Sequence, residues 1–268
     1  MLTAVVVQAR MKSTRLPGKV MMNLGGQSVL AHVMERCLRI KNADVVCCAL
    51  PEGSENDKAA EIARKTGADI FRGSEMDLVD RYYRAATAIK ADVIMRVTSD
   101  CPLIDPQICA AVIDLRQREN VDYACNNMPV GWPHGLDCEV FTYELLEKSL
   151  TEEKRPWARE HVSVWMRQNG SVTRASLPGP GGEIVSQRWT IDYPEDMEFI
   201  RCLMEKFPSG DKLLQYAEIQ AIISRYPELL KINEQHAEDS RDTEKQPEHD
   251  KIRHFKKENS LNSCQNSR

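Results

Sequence analysis

The sequence reads LTAVVV at residues 2–7, QARMKSTRLPGK at residues 8–19 and SVLAHVMERCLRI at residues 28–40, and this stretch decides the fold class. The β-branched residues of the first segment are typical of a buried parallel strand. Apolar residues of the third segment recur at helical spacing behind Ser28, a favourable N-cap residue. The three segments therefore predict a strand, a basic loop and a helix.

The same alternation continues along the chain. Strands are predicted at residues 44–50, 69–71 and 92–98, and helices at residues 55–66, 77–90 and 106–119. This order favours an α/β fold with a Rossmann-like, open, mostly parallel sheet and helices on both faces. The second half is less regular, with strands predicted at 121–125, 138–142, 172–175 and 188–191, and helices at 143–150, 155–168, 195–206 and 212–225.

Composition narrows the class of protein. The 268 residues carry a net charge of −4, which argues against a general affinity for nucleic acid or anionic membranes. The nine cysteines form no CxxC pair, so we interpret them as small hydrophobic residues in a reducing compartment. The apolar N-terminus is too short for a signal peptide or a membrane span. We therefore expect a cytoplasmic protein.

The chain changes character near residue 233. Apolar residues become sparse from there on, and charged and amide side chains dominate. Such a segment buries too little apolar area to offset its ordering entropy. The predicted organisation is one folded domain over residues 1–232 and a disordered charged tail over residues 233–268.

The loop after the first strand is the first candidate site. Four cations lie within ten residues of an otherwise acidic chain, and ligands of open parallel sheets bind beyond the carboxyl ends of strands. Gly18 allows close backbone approach, and Ser13 adds a hydroxyl. These features suit a triphosphate, although a solvated basic loop remains the alternative. Neither a Walker A loop nor a GxGxxG motif is present. The cations are Arg10, Lys12, Arg15 and Lys19.

Two aspartates are candidate metal ligands. Asp100 follows an apolar predicted strand, and Mg²⁺ favours one or two carboxylates together with substrate phosphates and water. Asp105, just before Pro106, fits the alternative role of a helix cap better than Asp100 does. Asp192 also follows a predicted strand, and it is a helix cap or the second carboxylate of a two-strand metal site.

A third group of polar residues lies in the second half. His134, Asp137 and Glu139 fall in a glycine-broken loop, and loops at a sheet edge commonly carry function. His161 follows Glu160 on a predicted helix, where a structural histidine is the equal alternative. These side chains are candidates for binding the hydroxyl, amine or carboxylate groups of a substrate.

The motifs together resemble the cytidylyltransferases that make CMP-Kdo and CMP-sialic acids. The resemblance rests on residues 8–19, LGG at 24–26 and LAHV at 30–33, with SDCPLI at 99–104 and IDYPED at 191–196. The variant QARM and the sequence DRYY at 80–83 are closer to the spore coat polysaccharide biosynthesis protein F branch. The match extends from about residue 2 to residue 225.

The resemblance implies a function and a set of site residues. Family members transfer CMP from CTP to a sugar, release pyrophosphate, use Mg²⁺ and often form homodimers. Arg10, Arg15 and Lys19 would grip the triphosphate, and Asp100 and Asp192 would hold the metal. The sequence departs from the Kdo and sialic acid enzymes at residues 126–139, which leaves the sugar open. Further substrate-binding residues would be Gln8, Ala9, Lys12, Ser13, Gly18 and Ser99, with Gly73, Ser74, Asp80 and Arg81 around the base.

Two other functions remain open at this point. A glycosyltransferase of similar architecture would use a nucleotide-sugar, but its usual Asp-x-Asp motif is absent from Asp100-Cys101-Pro102. A non-catalytic partner could retain the fold and bind a nucleotide-sugar. Pyrophosphate release by the chain alone would separate these functions.

Overall fold

The computed structural model describes residues 1–208, 213–237 and 252–254. Its strands are β1 (Thr3–Gln8), β2 (Asn23–Leu24), β3 (Gln27–Ser28), β4 (Val45–Pro51), β5 (Asp69–Gly73), β6 (Val93–Thr98), β7 (Tyr123–Cys125), β8 (Glu139–Thr142), β9 (Arg174–Ser176) and β10 (Ile252–His254). Eight of these described strands form one sheet in the order β10-β9-β7-β8-β6-β1-β4-β5, and β2 pairs with β3 in a separate hairpin. Strand β8 runs antiparallel to β6 and β7, whereas the other pairs of the main sheet are parallel.

Helices cover both faces of the sheet, as predicted. Along β1, Val5 and Val7 pack in the core below α1, α2 and α4, while Ala4 and Val6 pack below α3, α5 and α7. This alternation follows from the two-residue period of a strand. The helices are α1 (Val29–Cys37), α2 (Asp57–Lys65), α3 (Leu78–Ala88), α4 (Pro106–Glu119), α5 (Tyr143–Glu152), α6 (Pro156–Glu160), α7 (Val164–Gln168), α8 (Pro194–Met204) and α9 (Tyr216–Arg225).

Local capping explains why the early helices begin where the sequence predicts. The Ser28 hydroxyl accepts a hydrogen bond from Ala31 N at the start of α1. The Asp105 carboxylate accepts from two backbone N–H groups of α4 and a third from Tyr216, which begins α9. Each bond satisfies a donor that a helix leaves unpaired at its N-terminus. The predicted capping role of Asp105 is therefore confirmed.

Two predicted elements differ from the structure. Residues 188–191 were expected to form a strand, but they join no strand of the main sheet, and their backbone bonds to loops through Trp189 N to His134 O and Ile191 N to Asp100 O. The helix predicted over residues 155–168 is broken into α6 and α7. Val162 lies at the break with φ of 62°, a conformation that a β-branched residue rarely adopts.

The C-terminal segment is ordered beyond the predicted boundary at residue 233. Asn233 is 3% exposed, and Glu234–His236 forms a short 3₁₀ helix, so the ordered chain continues to Ala237. The β10 strand then pairs with β9 at the sheet edge. The remainder of the predicted disordered tail, residues 238–251 and 255–268, lies outside the described residues.

The cysteines behave as small hydrophobic residues. Seven of the eight in the described part of the chain are buried, and none of these eight forms a disulfide; Cys202 is half-buried. Burial raises the pKa of both Cys47 and Cys48 to about 12. Across the described ranges, we find no helix of the length and apolarity that a bilayer crossing requires.

Candidate active site

A cavity of about 380 Å³ opens beyond the carboxyl ends of β1 and β6. It brings together most of the predicted site residues, from the basic loop, the end of β6, α3 and α6. Those that line it are Gln8, Ala9, Arg10, Lys12, Ser13, Arg15, Lys19, Arg81, Ser99, Asp100, His161 and Asp192. The predicted residues that do not line it are Gly18, Gly73, Ser74, Asp80, His134, Asp137 and Glu139.

Lys19 lies at the centre of the cationic end of the cavity. Its Nζ is 2.8 Å from Asp100 Oδ2, 2.9 Å from Asp192 Oδ1 and 2.8 Å from the Ile191 carbonyl oxygen. Burial alone would lower the lysine pKa, but the two carboxylates outweigh it and raise the pKa. Because an ammonium has three N–H donors, Lys19 must release one of these partners before it can bind a phosphate.

Gly18 supports this arrangement from outside the cavity. Its φ of 70° lies in the left-handed region, where a glycine carries no steric penalty. The chain turns there into the 3₁₀ helix Lys19–Met21, which directs the Lys19 side chain inward. The structure thus gives Gly18 a role in shaping the loop.

Asp100 lies just past the end of β6, where its carboxylate faces Lys19. Burial acts to raise its pKa, but the charge and hydrogen bond of Lys19 are stronger and hold the pKa well below its usual range. The carboxylate is therefore ionised at neutral pH. An ionised oxygen ligand at a strand end is what a hard cation such as Mg²⁺ requires.

Asp192 is positioned by a buried network that the sequence did not reveal. Asp196, on the first turn of α8, accepts a hydrogen bond from Asp192 N and forms an ion pair of 2.9 Å with Arg188. Arg188 Nη2 also lies 3.6 Å from Asp192 Oδ2. Asn233 donates to Asp196 Oδ1 and to the Arg188 carbonyl oxygen. Three side chains from three segments, Arg188, Asp196 and Asn233, therefore position Asp192.

The two aspartates fit a divalent cation. Their carboxylates converge on one ammonium, so a positive charge already bridges them. The described residues contain no group of three or more histidine, cysteine, aspartate or glutamate side chains suited to hold a metal. A site with two carboxylates and substrate phosphates suits Mg²⁺, which binds few protein ligands and retains water.

The other cations of the basic loop are also paired with acids. Arg10 Nη1 lies 3.5 Å from Glu160 Oε1, and Arg15 Nη2 lies 2.8 Å from Asp192 Oδ1. Lys12 lies 3.0 Å from Glu75 and 3.6 Å from Glu55. Arg15 also lies over the ring of Tyr193, 5.2 Å from its centroid. The loop is thus held against the protein and is not simply a solvated basic segment.

The opposite wall of the cavity comes from α3 and α6. The buried Arg81 side chain donates from Nη1 to the Ser74 carbonyl oxygen, and burial lowers its pKa. Gly73 is packed under Arg81, since a Cβ there would lie 3.2 Å from Arg81 Cγ. Ser74 and Asp80 shape the start of α3: Ser74 Oγ accepts from Asp77 N, and Asp80 pairs with Arg84.

Three predicted acceptor-binding residues occupy other positions. The Glu139 carboxylate is 2% exposed and forms a 2.6 Å ion pair with Arg96, so it is part of the core beneath the site. His134 Nδ1 and Asp137 Oδ2 lie 2.9 Å apart and bond each other beside the segment that leads to Asp192. His161 does line the cavity, at the end of α6.

Sequence reasoning missed part of the lining. Val20, Leu78 and Thr98 contribute to the cavity and did not stand out in the sequence. Thr98 alone carried a signal, since it immediately precedes Ser99 and Asp100 at the strand end. Leu78 and Val20 look like ordinary core residues because each is an aliphatic residue at the start of an apolar pair, Leu78-Val79 and Val20-Met21.

The chain that forms this basic loop and the two facing aspartates can be compared with known proteins. A family model described as cytidylyltransferase matches residues 4–237, which is most of the chain. The chain belongs to the cytidylyltransferase family. The resemblance drawn from residues 8–19 and the two aspartate motifs is therefore confirmed, and the enzyme is a CTP-dependent sugar nucleotidyltransferase.

Relatives of this cytidylyltransferase include proteins of named function. The spore coat polysaccharide biosynthesis protein SpsF of Bacillus subtilis is 31% identical over 231 residues, which cover 83% of this chain and 94% of SpsF. A solved cytidylyltransferase structure from Leptospira borgpetersenii serovar Hardjo-bovis has a TM-score of 0.81 at 33% identity, covering 86% of this chain and 97% of that one. These similarities favour nucleotidyl transfer over the glycosyltransferase alternative.

A more distant structure supports the fold of the cytidylyltransferase. CMP:2-keto-3-deoxy-manno-octonic acid synthetase, solved with CTP, has a TM-score of 0.56 at 18% identity. The match covers 77% of this chain and 99% of the synthetase. At that identity the comparison establishes the shared Rossmann-like architecture and nothing about the sugar.

Proposed function

We propose that the protein transfers CMP from CTP to a hydroxyl of a nonulosonic or otherwise modified sugar, and that the CMP-sugar serves surface polysaccharide or glycan biosynthesis. The observation that carries the proposal is the convergence of Lys19, Asp100 and Asp192 at one end of a cavity lined by the basic loop. A cytoplasmic homodimer that uses Mg²⁺ is part of the proposal, on the resemblance to the family.

The proposed reaction is a direct displacement at the α-phosphorus of CTP. A sugar hydroxyl oxygen forms a bond to the α-phosphorus, the bond from that phosphorus to the α–β bridging oxygen breaks, the hydroxyl proton leaves, and pyrophosphate departs. Such a reaction asks the protein mainly for positioning and charge neutralisation. Mg²⁺ held by Asp100 and Asp192 would neutralise negative charge on the phosphate oxygens.

The chain's own cations have distinct tasks in this reaction. Arg10 and Arg15 each exchange an acidic partner for the phosphates, because both are partly exposed and lie on the cavity. Lys19, now paired with Asp100 and Asp192, would be available to the phosphates if those two carboxylates held a divalent cation instead. These exchanges match negative charge with positive charge before the transition state forms.

The test is pyrophosphate release by the full chain from each of the four nucleoside triphosphates with Mg²⁺, against a panel of nonulosonic and amino sugars. We expect release that depends on both CTP and one class of sugar. Arg15→Ala should slow it about a hundredfold, by analogy with the loss of one charged transition-state contact. The exposed Arg39, away from the cavity, offers a matched control as Arg39→Ala. Absence of release from every combination would contradict the proposal.

A further inference from the structure

The side chain of Gln8 links the cavity to the buried core. Gln8 is the last residue of β1 and lines the cavity. Its Oε1 lies 3.2 Å from Arg96 Nε and 3.2 Å from the Tyr82 hydroxyl oxygen. Both partners are on the core side of the amide, one on β6 and the other on α3.

These contacts fix which end of the amide faces the cavity. A guanidinium can only donate hydrogen bonds, so the Gln8 atom beside Arg96 Nε must be the carbonyl oxygen. The Gln8 Nε2 group therefore points away from Arg96. Within the residues that the structure describes, no protein acceptor bonds this Nε2 group, although Gln8 belongs to the cavity wall.

A buried ion pair holds Arg96 in place. Arg96 Nη1 is 2.6 Å from Glu139 Oε2, and Glu139 Oε1 accepts hydrogen bonds from Tyr123 and Ser163. The side chain of Glu139 is 2% exposed, and that of Arg96 is 18% exposed. A rotated Gln8 amide would place its NH₂ donors against the Arg96 guanidinium, which Glu139 holds in position. Glu139 thus acts on the cavity through Arg96 and not by direct contact.

We propose that Gln8 is a substrate-binding residue that acts solely as a hydrogen-bond donor, with its polarity fixed by Arg96 and Glu139. This inference rests on the proposed function. The ligand group is an oxygen acceptor of a substrate, supplied by the nucleotide or by the sugar. Arg96 and Glu139 are positioning residues in this account, and Gln8 makes the contact.

A neighbouring side chain has the same polarity. Arg81 lines the cavity and donates through Nη1 to Ser74, and its buried Nε has no hydrogen-bond partner. Arginine too can only donate. A wall that offers Gln8 and Arg81 as donors selects an oxygen-rich group and disfavours an amine, because an amine would bring further N–H donors against them.

Two substitutions separate this role from a purely structural one. Gln8→Glu retains oxygens for Arg96 and Tyr82 but removes the donor, whereas Gln8→Met retains the size and removes both. We would measure the Kd of CTP with Mg²⁺ by calorimetry without sugar, and the sugar KM at saturating CTP. The melting temperature of each variant would be recorded alongside.

We expect Gln8→Glu to melt near the wild type but to bind one substrate roughly fivefold or more weakly, because a hydrogen bond to that substrate is lost. A higher Kd for CTP in both Gln8→Glu and the uncharged Gln8→Met identifies the nucleotide as the source of the oxygen, because the negative charge of a glutamate would by itself repel a triphosphate. A higher KM for the sugar alone identifies the sugar. If Gln8 were only structural, Gln8→Met would be the damaged variant and Gln8→Glu would bind both substrates like the wild type.

If Gln8→Glu bound both substrates as tightly as the wild type, the inference would be overturned. Should this variant fail to fold, Gln8→Met carries the test, and unchanged affinity for both substrates in it would overturn the inference equally. Wild-type protein that binds no CTP would instead overturn the proposed function, and this inference with it. The first measurement, on the wild type, therefore distinguishes the two failures.

Discussion

Lys19 Nζ lies 2.8 Å from Asp100 Oδ2 and completes its bonding with Asp192 and the Ile191 carbonyl oxygen, so its three N–H donors are all used. In this state the cations around the site neutralise the protein's own carboxylates. The positive charge of Lys19 would become available to a triphosphate if a divalent cation were held by Asp100 and Asp192. Nucleotide binding and metal binding should therefore be coupled.

Removal of divalent metal should weaken CTP binding by about tenfold or more. Without the metal, Lys19 stays paired with Asp100 and Asp192, so the triphosphate gains no bond from Lys19 and is repelled by the two carboxylates. Calorimetric titration with CTP in Mg²⁺ and in a chelator measures the difference. In Asp100→Asn the difference should shrink, since Lys19 loses one of its anionic partners. Equal CTP affinity with and without metal in the wild type would contradict this coupling.

Asp100→Asn should lower turnover by about a hundredfold or more, because it removes one of the two carboxylates that would hold Mg²⁺ beside the reacting phosphate. The melting temperature should change little, since Lys19 retains Asp192 and a carbonyl oxygen. Steady-state pyrophosphate release and thermal unfolding measure the two effects.

The matched control lies five residues away. Asp105→Ala removes the N-cap of α4 and the bond to Tyr216 N, so it should cost about 1 kcal/mol or more of stability. Its folded fraction should retain most of the turnover, because Asp105 does not line the cavity. A stable, inactive Asp105→Ala together with an active Asp100→Asn would reverse the assignments.

Asn233→Ala should lower both stability and turnover. The substitution removes the amide donor that Asp196 and the Arg188 carbonyl oxygen share. Asp196 Oδ1 keeps its bond from Arg188 Nε, but the buried Arg188 carbonyl oxygen loses its donor at a cost of about 1–3 kcal/mol. Turnover should fall because Asp196 positions Asp192. Urea unfolding and turnover at a temperature well below melting measure the two effects.

Gln235→Ala tests whether any change in this segment has the same effect. Gln235 is exposed and contacts Glu195 at the surface, so its loss should leave both quantities close to wild type. Full turnover in Asn233→Ala would show that the segment does not support the site.

Acid unfolding should report on Glu139. Burial acts to raise its pKa, but Arg96 and Arg167 together with the hydrogen bonds from Tyr123 and Ser163 outweigh burial, and the pKa in the folded chain is lowered from 4.5. A lowered carboxyl pKa stabilises the fold above the unfolded value, and this contribution is lost as pH falls through the folded pKa. Below about pH 4.5 the wild type should therefore lose stability steeply.

The comparison variant is Glu139→Gln, which has no carboxyl group to titrate at this position. It should be less stable by about 3–5 kcal/mol at pH 7, since a buried arginine loses its partner. Its stability should approach that of the wild type as pH falls below 4.5. Urea unfolding curves at pH 7 and at acidic pH measure the change, and parallel pH profiles would contradict the assignment.

The first half of the fold could be predicted because its signals are local. Ser28, Asp77 and Asp105 cap helices through bonds to residues within three positions, and the hydrophobic period identifies the intervening strands. Helix α4 follows its prediction from Pro106 to Glu119 because a proline and a capping aspartate begin it and Asn120 ends it in the left-handed conformation.

The errors arise where distant residues decide the structure. Residues 188–191 have the composition of a strand, but their backbone partners belong to loops about 50 and 90 residues earlier. Glu139 looks like a loop carboxylate until Arg96, 43 residues away, is placed opposite it in the sheet. No sequence window contains such pairs, so their burial could not be read from spacing.

The site was predictable at its cationic end and less so elsewhere. The basic loop and Asp100 were recognised from charge density at strand ends, and the cavity contains them. The support of Asp192 by Arg188 and Asn233 depends on the C-terminal segment folding back. The polar composition of this segment gave no sign that it packs against the domain, because hydrogen bonds and not apolar contacts hold Asn233 in its buried position.

The buried thiols of this enzyme allow its unfolding to be followed by chemical labelling. Only the thiolate reacts with alkylating reagents, and at neutral pH the raised pKa of Cys47 and Cys48 leaves almost none of it. Each molecule that unfolds in the presence of such a reagent should keep a permanent increase in mass from the seven buried sites. Label counts by mass spectrometry would then measure opening rates of the unmodified sequence, without an introduced probe.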